Sequence, residues 1–159
     1  MAGGAESVVS VESSAEFLAK GAENLLLNHM EEHRAHWMEG DVFKVLRTFR
    51  DKGEKFNAVI LDPPKFAPTT AQVERAARGY KDINLLALKL LEPGGFLFTF
   101  SCSGGISADL FEKIVAGAAL DAGVQVKIVE RLFQGLDHPV AINFPEGAYL
   151  KGLVCRVDQ

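Results

Sequence analysis

The feature that most constrains the fold is a near-continuous apolar run, Asn57-Ala58-Val59-Ile60-Leu61, stopped by Asp62-Pro63-Pro64. An apolar stretch without alternation suits a parallel strand buried on both faces; a strand with one wet face alternates. Proline has no N–H to give to a ladder, so the Pro-Pro pair ends the strand. A second such run, Phe96-Leu97-Phe98-Thr99-Phe100, stops at Ser101-Cys102-Ser103-Gly104-Gly105. Parallel strands need long crossovers, usually helices.

The rest of the chain supplies them. Ser7 to Val11 reads as a strand. Ser13-Ser14-Ala15-Glu16 reads as a helix start, and Phe17, Leu18, Leu25 and Leu26 carry its apolar face to about Asn28. His36 to Met38 reads as a short strand and Val42 to Arg50 as an amphipathic helix. Thr69 to Gly79 and Asp82 to Leu91 read as two helical pieces, followed by a turn at Pro93-Gly94-Gly95. Ile106 to Ala122 reads as a helix ending near Gly123, and Val124 to Leu132 and Tyr149 to Val157 as closing strands. Six strands alternating with helices predict an α/β fold with a doubly wound, mostly parallel sheet and helices on both faces. The 159 residues fit one domain.

Composition removes several classes of function. The net charge of −4 excludes a simple polybasic nucleic-acid clamp but leaves room for a local basic site. Two cysteines are too few for a disulfide scaffold or a cysteine-based zinc site, and a reduced, cytoplasmic setting is expected. No apolar run approaches the roughly 20 residues of a membrane span, and the N-terminus lacks a signal-peptide pattern. His29 and His33 share the spacing of a metal pair, but Glu31-Glu32 beside them read as a solvated segment, so no metal is expected.

In open α/β sheets ligands bind beyond the carboxyl ends of the strands. That directs attention to Glu12, Asp41, Asp62 and Cys102. Glu12 reads either as an acceptor for ribose hydroxyls or as an acid favoured near a helix N-terminus. Asp41 reads as a helix cap, as an acceptor for an adenine amino group, or as both. Leu61-Asp62-Pro63-Pro64-Lys65-Phe66 is the most specific motif. A planar amino group can donate to Asp62 and a proline carbonyl, and Phe66 can stack on a base. Cys102 reads either as a nucleophile at the sheet edge or as an inert thiol, while Cys155 reads as structural. Lys65, Arg75, Arg78 and Lys81 form a modest basic cluster where a phosphate backbone can sit, or a solvated face. His138-Pro139 shapes either a substrate pocket or only a turn.

These motifs together resemble the C-terminal catalytic part of the bacterial class I, Rossmann-like S-adenosylmethionine-dependent methyltransferases that act on cytosine C5 of 23S rRNA. The resemblance covers nearly the whole chain. It rests on Val59-Ile60-Leu61-Asp62-Pro63-Pro64-Lys65-Phe66, Gly79-Tyr80-Lys81-Asp82-Ile83-Asn84, Thr99-Phe100-Ser101-Cys102-Ser103, Asp137-His138-Pro139 and Pro145-Glu146-Gly147 with Tyr149-Leu150-Lys151-Gly152. It implies S-adenosylmethionine as cofactor, with Glu12 holding the ribose, Asp41 and Val42 beside the adenine, and Asp62 and Pro63 lining the methyl-transfer site. It further implies that Cys102 attacks C6 of cytosine, and that Pro64, Lys65, Phe66, Arg78 and His138 contact the RNA.

The same resemblance marks a departure. The family places a first, central strand and a glycine-rich loop before the position of Ser7, and a small N-terminal RNA-binding domain before that. Residues 1–159 are therefore expected to be a partial catalytic domain, N-terminally truncated, with weak cofactor binding. They are also expected to form a homodimer or to pair with the missing N-terminal segment. The alternatives are a methyltransferase acting on an amino group of nucleic acid, and a non-catalytic RNA-binding fragment.

Overall fold

Residues 3–66 and 72–158 are described by a computed structural model. They form two compact units, Met1–Thr48 and Phe49–Gln159.

In the first unit, β1 (Val8–Glu12) and β2 (Ala35–Glu39) pair in parallel, from Val8 opposite Ala35 to Glu12 opposite Glu39. Helix α1 (Ala15–Leu27) makes the crossover between them. Helix α2 (Val42–Lys52) begins three residues after β2 ends. The Gly40 N–H donates to the Glu12 carbonyl (3.0 Å), so the two strands end side by side.

In the second unit the strand order is β3-β4-β6-β5. Strand β3 (Phe56–Leu61) runs parallel to β4 (Leu91–Ser101), with helix α3 (Val73–Leu90) between them in sequence. Strand β6 (Lys151–Asp158) lies antiparallel between β4 and β5 (Gln125–Leu132). Helix α4 (Ala108–Ala122) packs on α3. Ser107 caps it by accepting from the Leu110 N–H (3.1 Å), and Gly123 ends it in the left-handed region at φ 72°, where glycine carries no Cβ penalty. Burial alternates along β4: Leu97, Thr99 and Ser101 are buried under the helices, while Phe96, Phe98 and Phe100 on the opposite face are only partly covered. The core of this unit comprises Tyr80, Leu86, Leu90, Leu97, Phe111 and Cys155. This is the α/β, Rossmann-like class expected from the sequence: β1 pairs in parallel with β2, β3 in parallel with β4, and the second unit closes antiparallel through β6 and β5.

Three local expectations are corrected. The two helical pieces around Gly79 are one helix. Its buried residues Ala76, Tyr80, Ile83, Ala87 and Leu90 recur every three to four positions straight through the glycine. That continuous stripe outweighs the roughly 1 kcal/mol a mid-helix glycine costs. The expected helix start at Thr69 lies outside the described residues.

The Pro93-Gly94-Gly95 turn is a bulge inside β4, where pairing jumps from Phe56 opposite Leu91 to Ala58 opposite Phe96. Gly95 is buried there, and a Cβ on it would stand 2.8 Å from the Glu92 carbonyl and 3.0 Å from the Asn57 carbonyl. Backbone atoms cannot step aside as a side chain can. Gly95→Ala is expected to destabilise the protein by about 1–3 kcal/mol, the usual cost of overpacking. An unchanged urea midpoint would contradict that tightness.

Strand β3 is not buried on both faces. It is an edge strand; Leu61 is buried, but Ile60 on the other face is 71% exposed.

Candidate active site

In the first unit, Glu12 and Asp41 stand at the adjoining carboxyl ends of β1 and β2. Glu12 Oε1 accepts from the Ser14 N–H and the Ser13 hydroxyl, both at 3.0 Å. These bonds, the backbone one foremost, hold its carboxyl below the ordinary glutamate value. Asp41 Oδ1 caps α2, accepting from the Phe43 N–H (2.9 Å) and the Lys44 N–H (3.2 Å). Each acid thus spends one oxygen on a helix start. Glu12 Oε2 and Asp41 Oδ2 have no protein donor among the described residues. Capping and ligand binding are compatible here: these bonds fix each carboxylate through one oxygen and leave the second as an acceptor. Val42 is the first residue of α2, directly after Asp41.

In the second unit, the parallel pairing of β3 with β4 carries Asp62 and Cys102 to the same sheet edge, one residue beyond Leu61 and Ser101. The Cys102 thiol lies 4.0 Å from the Pro63 carbonyl oxygen, a long contact that brings the Asp-Pro-Pro loop to the sulfur. Pro63 is buried, while Asp62, Pro64 and Lys65 are exposed, so the loop offers its acid and base outward from a fixed proline. Phe66 packs against Tyr80, ring centroids 4.7 Å apart. Gly79 faces the same ring: a Cβ there would stand in ordinary contact with Phe66, at 3.4 Å.

Ser103 fixes the other side of the cysteine. Its hydroxyl shares a 3.0 Å hydrogen bond with the Tyr80 phenol, and its carbonyl accepts from the Ile106 N–H (3.1 Å) and from Lys151 Nζ (2.8 Å). Lys151 sits on β6 opposite Ser101. Burial, and secondarily the charge of Lys65, press its ammonium below the ordinary lysine value, while Cys102 opposes that shift. Lys65 Nζ lies 5.8 Å from the Tyr149 ring centroid.

His138 lines an open cleft of about 680 Å³ with Tyr149, Lys151, Gly104, Ser107 and Gln134. Its Nδ1 is 3.1 Å from Asp137 Oδ2. Arg78 is exposed on α3, beside the Gly79 that faces Phe66. Lys81 leaves the expected basic cluster, since it pairs with Asp121 at 2.8 Å.

Sequence reasoning missed Lys151, Tyr149 and Tyr80 as site-building residues. The motifs Gly79-Tyr80-Lys81-Asp82 and Tyr149-Leu150-Lys151-Gly152 contain them, but only the antiparallel register of β6 shows why they matter.

The two thiols differ in chemistry. Cys155 is fully buried on β6, and burial pushes its pKa up to about 11; Cys102 is partly exposed. Iodoacetamide at pH 8 is expected to label Cys102 in the folded chain and spare Cys155, as read by peptide mass spectrometry. Equal labelling would contradict the buried placement of Cys155.

The first unit carries free carboxylate oxygens at the ends of β1 and β2, and the second an Asp-Pro-Pro loop at the end of β3; with the α/β fold these features mark a class I methyltransferase. A sequence model of the S-adenosylmethionine-dependent methyltransferase family matches residues 1–156, and the chain belongs to that family. It is 52% identical over 155 residues to proteins named ribosomal RNA large subunit methyltransferase I from Escherichia coli K12 and from Shigella boydii. The match covers 98% of this chain and 39% of theirs, so the chain spans about two-fifths of the length of these curated relatives.

Among solved structures, one described as a methyltransferase complexed with SAH superposes with a TM-score of 0.83 at 20% identity, covering 98% of this chain and 40% of that one. An S-adenosylmethionine-dependent methyltransferase from Agrobacterium tumefaciens superposes with a TM-score of 0.67 at 21% identity, covering 99% and 50%. These likenesses show the fold. The family's cofactor also fits the donor set here, because a ribose diol and an adenine amino group are donors and the two free oxygens are acceptors.

Proposed function

We propose that this domain methylates C5 of a cytosine in large-subunit ribosomal RNA, through a covalent bond from Cys102 to C6 of the base. The observation that carries this reading is the contact between the Cys102 thiol and the Pro63 carbonyl at the joined ends of β3 and β4. The name of the 52%-identical relatives supplies the substrate class.

The chemistry needs a nucleophile because C5 of cytosine reacts poorly with electrophiles while the ring stays aromatic. The Cys102 thiolate adds to C6, and the C5=C6 electron pair moves to C5. Asp62 accepts from the N4 amino group and orients the base for the attack. S-adenosylmethionine, when bound, supplies an electrophilic methyl group, and Glu12 and Asp41 hold its ribose and adenine, with Val42 against the adenine. After C5 takes the methyl group, its proton is lost to base, the C5=C6 bond reforms and the Cys102 sulfur departs as thiolate. Pro64, Lys65, Phe66, Arg78 and His138 are the RNA-facing residues of this reading.

The test is methyl transfer by the enzyme carrying this domain to large-subunit RNA, with nucleoside mass spectrometry of the product. 5-Methylcytidine is the expected product. N4-methylcytidine would instead establish amino-group methylation, which the Asp62–Pro63 acceptor pair also favours.

The domain works as part of a longer enzyme in this reading. The free edge of β3 and the exposed Ile60 offer pairing groups and apolar surface to a further strand. The isolated chain is accordingly expected to self-associate. A monodisperse monomer by light scattering at tens of micromolar would count against this use of the edge.

A further inference from the structure

We propose that Lys65, Tyr149 and Lys151 form a phosphate subsite that holds the backbone phosphate of the nucleotide presented to Cys102. The proposal rests on the reading of the substrate as nucleic acid, but not on which atom of the base is methylated.

The two lysines come from distant segments, the loop after β3 and the start of β6, and meet at one sheet edge. Lys151 is anchored by one N–H to the Ser103 carbonyl at 2.8 Å, which leaves two ammonium donors beside Cys102. Lys65 is held over the Tyr149 ring at 5.8 Å, two residues before Lys151 in the chain.

Neither ammonium has a carboxylate within salt-bridge distance among the described residues. That is unlike Lys20, Lys81, Lys113 and Lys127, which pair with Glu16, Asp121, Asp109 and Asp158. Placing a half-buried cation beside a second one is unfavourable without an anion. Burial first, and then the charge of Lys65, lower the basicity of Lys151. A phosphate bridging the two ammonium groups relieves both the desolvation and the repulsion.

Geometry also suits a nucleotide. The pair flanks the Asp62–Cys102 edge where a base would be presented, and the cleft lined by Tyr149, Lys151 and His138 opens beside it.

The test is lysine acetylation footprinting of the folded chain, read by peptide mass spectrometry. Sulfo-NHS-acetate is applied at pH 8 with sodium chloride, inorganic phosphate, cytidine, cytidine 5′-monophosphate or a short cytosine-bearing oligoribonucleotide, all at equal ionic strength. The oligoribonucleotide and the monophosphate are expected to slow acetylation of Lys65 and Lys151 at least about threefold relative to chloride and cytidine, by occupancy. Lys20 and Lys113 serve as unprotected references.

Equal rates in phosphate-bearing ligands and in chloride would overturn the subsite. Protection by inorganic phosphate with none by the oligoribonucleotide would overturn its assignment to an RNA backbone. In Lys65→Met, protection of Lys151 is expected to be lost, and the reverse in Lys151→Met; retained protection in either would overturn the pair as one site. Because no methyl transfer is read, the result stands apart from the C5 reading. A Cys102→Ala chain is expected to keep the protection, and an N4-methylated product would leave it untouched.

Discussion

Cys102→Ala is expected to abolish transfer to cytosine C5, lowering the rate by at least about a thousandfold, as removal of a covalent nucleophile does. Nothing else at this sheet edge can replace it. The other thiol, Cys155, is fully buried and held to a pKa of about 11. The substitution removes a partly exposed thiol whose recorded polar contact is the long one to Pro63, so it is expected to cost less than about 1 kcal/mol of stability. Loss of activity in a folded variant therefore reports chemistry.

A covalent trap sharpens the measurement. RNA carrying 5-fluorocytosine cannot lose a C5 proton, so addition of Cys102 and methylation leave the adduct intact. Wild-type enzyme is expected to form a protein–RNA band that survives denaturation, and Cys102→Ala none. Full transfer by Cys102→Ala would end the covalent reading and leave amino-group methylation, in which the Asp62–Pro63 acceptors suffice.

What was legible in the sequence follows the range of the forces involved. The ends of β1, β3 and β4 were legible because a β-branched or apolar run and what stops it, Ser-Ser after β1, Pro-Pro after β3 and Gly-Gly after β4, are written in adjacent residues. Parallel pairing then brought Asp62 and Cys102 together without further information. The cap role of Asp41 was legible for the same local reason.

Lys151 was not legible as a site residue. It reaches Ser103 across 48 positions of sequence, and only the antiparallel register of β6 creates that contact. The continuity of α3 through Gly79 was misread because local propensity sees the glycine, whereas the buried stripe from Ala76 to Leu90 decides. The exposure of Ile60 was misread because an apolar run reports what a strand can bury, and sheet order decides what it does bury.

Tyr80 joins those scales, and it gives the largest expected effect on stability. It is fully buried in the middle of α3, with its ring against Phe66 (4.7 Å) and Phe111 (5.6 Å) and its phenol on the Ser103 hydroxyl (3.0 Å). Tyr80→Ala removes the ring that supports the Asp-Pro-Pro loop on one side and α4 on the other. It is expected to cost about 3–5 kcal/mol by urea denaturation, a large share of the 5–15 kcal/mol that typically holds a domain. Tyr80→Phe keeps the ring and deletes one buried hydrogen bond, at an expected cost of about 1–2 kcal/mol.

The two variants separate support of the fold from support of the site. Tyr80→Phe stays folded, yet it takes the phenol away from the Ser103 hydroxyl next to Cys102. It is therefore expected to lower the rate of Cys102 addition, read as slower adduct formation with 5-fluorocytosine RNA, without changing affinity for S-adenosylmethionine. If both adduct rate and cofactor affinity match wild type, Tyr80 supports packing alone, and the positioning of Cys102 rests on the Lys151–Ser103 bond. If Tyr80→Ala melts with the wild-type midpoint, the packing of Phe66, Tyr80 and Phe111 is not what holds the loop to the sheet.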